Sequence, residues 1–157
     1  MTIDPARVLL TAEVIADLLA RRIDVRVEVS GRSMLPLLRG GECATISPAP
    51  PASLDRGDLV LRRSAAGPLL LHRLVRITGE GRDRRWWTRG DALPACDESC
   101  SEDQILGKVS RIEGLKLPLT PASLRTDARA WLVVSGFCVA AARAGAFMRR
   151  VAARRGK

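Results

Sequence analysis

The sequence predicts a mainly β fold, a curled sheet or partial barrel with flanking N- and C-terminal helices. Three patterns predict it. Helical periodicity over residues 5–22 gives way at residue 25 to strict period-two alternation. Short strand-like runs then recur between Gly- and Pro-rich turns as far as residue 113, a spacing that suits antiparallel strands rather than βαβ units. Helical character returns over residues 125–155. At 157 residues and 46% hydrophobic, the chain can pack one domain of ordinary size and leaves little room for two.

In PARVLLTAEVIADLLARR (5–22), Val8, Ala12, Ile15 and Leu19 share one stripe, while Arg7, Thr11, Asp17 and Arg21 can face water. Asp4, Glu13 and Asp17 interrupt any apolar run there, so this segment is not read as a secretory signal. In VRVEV (25–29) valines alternate with charges, as in a half-buried strand. Further strands are expected at 44–47 before PAPPAS, at 58–62 after Arg56-Gly57, and at 69–77 after Gly67-Pro68. Two more follow, at 85–88 leading into Arg89-Gly90-Asp91 and at 105–113. Between them ALPACDESCSEDQ (92–104) reads as a polar, acidic loop, and no internal repeat is visible. The organisation is therefore an N-terminal amphipathic helix in 1–24, a β domain in 25–120 and a basic helix in 121–157.

The net charge of +9 suggests nucleic acid until it is located. Residues 125–157 hold eight basic residues against Asp127 alone, a net +7, whereas residues 1–124 hold 18 basic and 16 acidic residues. A near-neutral body does not grip phosphates, and no helix-turn-helix is legible, so nucleic acid is not an expected partner. The stretch 131–148 carries one charge, Arg143, yet Arg129, Gly136, Arg143 and Arg150 recur every seven residues. That polar stripe favours an amphipathic helix on an anionic membrane surface over a clean span. A membrane-associated location is expected, with a cytoplasmic one as the alternative. The four cysteines (Cys43, Cys96, Cys100, Cys138) do not form two CxxC pairs, so no structural zinc, and no cofactor, is expected. Cys96 and Cys100 suit either a disulfide or a reduced pair.

Three segments could carry chemistry. In Gly31-Arg32-Ser33-Met34-Leu35-Pro36, a serine stands on a turn at a strand's end, where its hydroxyl can meet an extended substrate. In LLLHRLV (69–75), the chain's single histidine, His72, sits in an apolar strand where burial favours a neutral imidazole able to accept a proton. In Thr88-Arg89-Gly90-Asp91, an aspartate follows a strand. Alone, each has an ordinary reading: turn former, core histidine, turn aspartate.

Together, Ser-Met-x-Pro, Arg-Gly-Asp-Leu-Val (56–60), His-Arg-Leu-Val (72–75), Arg-Gly-Asp (89–91) and Gly-Lys-Val (107–109) resemble, in content and order, the boxes of the type I signal peptidase family. The resemblance covers residues 25–113 and is closest to the branch that uses histidine as base, as in archaeal and endoplasmic-reticulum enzymes. It implies a signal-peptidase-like catalytic sheet, with Ser33 as nucleophile, His72 as general base and Asp91 as the carboxylate that orients the imidazole. It also implies that Gly31, Ser33 and Met34 form the oxyanion and substrate-binding turn, the Ser33 N–H being one donor. Lysine is scarce (Lys108, Lys116 and Lys157), which agrees with a histidine base. One departure stands out: relatives commonly carry serine at the position of Gly31, where its hydroxyl helps bind the oxyanion.

The expected function is that of a serine endopeptidase cleaving an extended peptide or preprotein next to small residues, without a cofactor. The alternatives are a soluble processing protease for one dedicated precursor and a non-catalytic, peptide-binding member of the same fold.

Overall fold

The computed structural model describes residues 5–65 and 67–115, with side chains from Ala12 onward. Helix α1 (Pro5–Ala20) is followed by strands β1 (Val25–Glu28), β2 (Cys43–Ser47), β3 (Leu59–Arg63), β4 (Leu69–Thr78), β5 (Arg85–Arg89) and β6 (Ile105–Glu113), with short 3₁₀ turns at Pro51–Ser53, Gly81–Asp83 and Glu102–Gln104. The protein is mainly β, and each strand lies within a residue of where alternation and turn residues put it. The helix predicted over residues 125–155 lies outside the described residues.

Helix α1 stops earlier than its periodicity suggests. Ile23 N–H donates to Leu18 O and Arg22 N–H to Leu19 O, both at 3.0 Å, with Arg22 at φ 62°. This paired closure needs one left-handed residue, here an arginine in place of the usual glycine.

All six strands form one antiparallel sheet in the order β1-β2-β6-β3-β4-β5, curled into a half-barrel. Register shifts at Thr45/Ile46, Leu61/Arg62 and Leu74/Arg76 mark the bulges that bend it. Strand β3 is buried on both faces, so its alternation sorts side chains between two cores. Leu59 and Leu61 join Leu19, Met34, Leu37, Leu38, Ala44 and Ile46 on the α1 side. Val60 joins Leu54, Leu74, Trp86, Cys100 and Ile105 on the other.

The excursion from β1 to β2 carries Ser33. Its neck closes where Val29 N–H donates to Glu42 O at 2.8 Å and Gly41 N–H to Val29 O at 2.9 Å. The buried Glu42 carboxylate then accepts the N–H groups of Arg39 (3.0 and 3.1 Å) and Gly40 (2.8 Å). Burial by itself raises the Glu42 pKa, but these backbone donors and the Arg39 charge outweigh it and hold the carboxyl below the ordinary range. These bonds close the base of the loop that carries Ser33.

A candidate Ser-His-Asp active site

His72 stands opposite Val60 in the β3–β4 register and is 5% exposed. Its Nε2 lies 3.0 Å from Ser33 Oγ and its Nδ1 lies 2.7 Å from Asp97 Oδ2. The same Asp97 oxygen accepts the Thr88 hydroxyl at 2.6 Å, and Asp97 N–H donates to Thr88 O at 2.8 Å. Strand β5 therefore fixes both the backbone and the side chain of Asp97. Arg62, buried on β3, brings a guanidinium nitrogen to 3.9 Å from Asp97 Oδ2.

An ionised acceptor on Nδ1 makes that nitrogen the donor, which leaves Nε2 to accept a proton from Ser33. Burial works to raise the Asp97 pKa; the hydrogen bonds from His72 and Thr88 and the charge of Arg62 win and lower it. The carboxylate is therefore ionised at neutral pH. A hydroxyl, a buried imidazole and a partly buried carboxylate in line form the arrangement that activates a serine.

The structure brings Ser33 and His72 together, and it places Asp97 rather than Asp91 against the His72 ring. Asp91 does not reach His72. It forms a buried two-pronged ion pair with Arg73, Nε to Oδ1 and Nη2 to Oδ2, both at 2.8 Å, with each side chain 2% exposed. The reason is the strand period: His72 and Arg73 are consecutive on β4 and project to opposite faces, so each takes its own carboxylate. The arginine beside the histidine was the available signal, since a charge inside an apolar strand demands a counter-ion. Asp97 was hidden in an acidic loop where Glu98, Glu102 and Asp103 are equally polar neighbours.

Asp91 serves the site at one remove. Arg73 also donates to Gly57 O at 2.8 Å, which ties the turn after β5 to β4 and to the turn before β3. That same turn braces Ser33. Ala92 N–H donates to Ser33 O at 2.8 Å, and a Cβ on Gly90 would come within 2.7 Å of Ser33 O and 3.0 Å of Ser33 Cβ. Gly90 is there because the backbone of Ser33 occupies the space a side chain would need.

Gly31 has φ +87°, and a Cβ placed on it would meet nothing within 4 Å. Conformation, not crowding, requires glycine there. Met34 is 3% exposed and packs into the α1-side core. Gly31, Ser33, Met34 and His72 share a cleft of about 250 Å³ with apolar residues of α1, β1, β3 and β4.

Among the described residues, no group of three or more His, Cys, Asp or Glu could hold a metal ion. Cys96 and Cys100 are free thiols; burial pushes the Cys100 thiol up, and it donates to Trp86 O at 3.4 Å. Among the described residues, no helix is long and apolar enough to cross a membrane. No protein-family model matches this chain, and no curated protein matches it.

Proposed function

We propose that the chain is a serine endopeptidase of the signal-peptidase type, cutting an extended peptide next to small residues. The observation that carries this reading is the unbroken line Ser33 Oγ, His72 Nε2, His72 Nδ1, Asp97 Oδ2, with steps of 3.0 and 2.7 Å. Ser33 Oγ attacks the scissile carbonyl while His72 Nε2 takes its proton. His72 then returns that proton to the leaving amine as the acyl-enzyme forms, and a water molecule repeats the sequence to release the acid. Asp97 keeps Nδ1 as the donor and stabilises the imidazolium. The Ser33 N–H faces the developing oxyanion in this scheme.

Gly31 favours a second reading, a peptide-binding protein without turnover, because it removes the hydroxyl that relatives present there. One experiment separates the two. Internally quenched peptides with alanine at successive positions are incubated with the full chain and with Ser33→Ala, His72→Ala and the double variant. An endopeptidase cleaves, and all three variants fall to one common residual rate, since either loss disables the relay. Equal cleavage by wild type and Ser33→Ala refutes the proposal, and peptide binding without cleavage favours the second reading.

The tail with its net +7 charge supports a location on an anionic membrane surface, attached by apolar burial and by basic residues together.

A further inference from the structure

The cleft that holds Ser33 and His72 is walled on one side by α1, through Ile15. Its remaining apolar lining includes Val27 of β1, Leu61 of β3, and Leu69 and Leu71 of β4. Ile15 is not a loose neighbour. Ala12 and Leu19, three residues before and four after it, are 5% and 3% exposed, so the face that carries Ile15 is the anchored face of the helix. The Glu13 carboxylate meets the Arg63 guanidinium with both oxygens, at 2.6 and 3.1 Å. Arg63 stands opposite Leu69 in the β3–β4 register, and Leu69 lines the cleft. A solvent-exposed ion pair thus joins the helix to the strand pair that forms the opposing wall, beside the apolar contacts of Ala12 and Leu19.

The volume of about 250 Å³ is below the roughly 300–1,000 Å³ of pockets that enclose whole small molecules. It suits one or two aliphatic side chains. We propose that Ile15 makes α1 a specificity element, whose distance from the β4 leucines sets how large an aliphatic side chain a peptide can seat beside Ser33. This rests on the peptidase reading above and adds a residue outside the sheet to its substrate site.

The test uses the full chain and a synthetic decapeptide library in which each position carries Gly, Ala, Val, Leu or Phe, with cleavage read by mass spectrometry. Wild type is compared with Ile15→Ala and Ile15→Phe, and thermal melting is recorded for each. At one substrate position, Ile15→Ala should raise the Leu-to-Ala ratio of kcat/KM about tenfold or more, and Ile15→Phe should lower it, the scale on which apolar pockets discriminate side chains. Peptides with Gly at that position should change little. If Ile15→Ala fails to fold, Ile15→Val must still shift the ratio in the same direction. An unchanged size profile in active variants overturns the inference and leaves the peptidase reading intact. Uniform loss of all cleavage with unchanged melting also overturns it. A wild type that cleaves no peptide overturns both.

Discussion

Asp91 and Asp97 stand six residues apart in sequence, and replacing each by asparagine should separate stability from turnover. Asp91→Asn removes the charge that neutralises Arg73, and both side chains are 2% exposed. Breaking a buried pair from one side leaves an uncompensated charge and costs about 3–5 kcal/mol. For a domain of this size that lowers the melting temperature by roughly 10–20 °C. Asp97→Asn is a different perturbation. Asp97 is only partly buried, with its side chain 14% exposed, and asparagine keeps one oxygen to accept the Thr88 hydroxyl. Melting should move by only a few degrees, about 1 kcal/mol. Turnover should drop by as much as about 10⁴-fold, because an amide neither fixes the tautomer nor stabilises the imidazolium. The assay pairs thermal unfolding by circular dichroism with peptide cleavage on the same preparations. Two results refute the reasoning: Asp91→Asn melting with wild type, or Asp97→Asn melting as low as Asp91→Asn.

Gly90→Ala should displace the Ser33 backbone, since its Cβ would stand 2.7 Å from Ser33 O; about 1–3 kcal/mol of overpacking is expected, with a rate loss of up to about 10²-fold. A melting curve and cleavage rates check both parts. Glu42 and Asp97 are both held below the ordinary carboxylate range, so the unfolded chain binds protons more readily than the folded one as the medium acidifies. Their stabilisation is present above about pH 4 and is lost as pH falls through the folded values, so the urea-denaturation gap between wild type and Glu42→Gln should shrink below about pH 4. Liposome co-sedimentation tests the tail: the full chain should pellet with anionic vesicles and be released by high salt, while a variant lacking residues 121–157 should stay in solution. Equal pelleting of both proteins would remove the tail from the account.

The sequence by itself determined the strands and the helix, because both depend on local order along the chain. Valine–charge alternation at residues 25–29 and the punctuation by PAPPAS, Gly67-Pro68 and Arg89-Gly90 place the strand ends without reference to anything distant. Ser33 and His72 were legible as candidates only in company: each alone has an ordinary reading, and the order of the surrounding boxes along the chain singles them out. The tertiary structure alone decided which carboxylate serves the histidine. Asp91 and Asp97 have the same chemistry, and both follow His72 in the chain beyond the reach of any local pattern. The choice falls to the pleat of β4, which turns Arg73 to one face and His72 to the other, and to Thr88, which holds Asp97 by backbone and side chain together. The wall that Ile15 provides was equally out of reach. Its helical stripe marked it as a buried position, but only the curl of the sheet brings β1, β3 and β4 around the face of α1 that carries it.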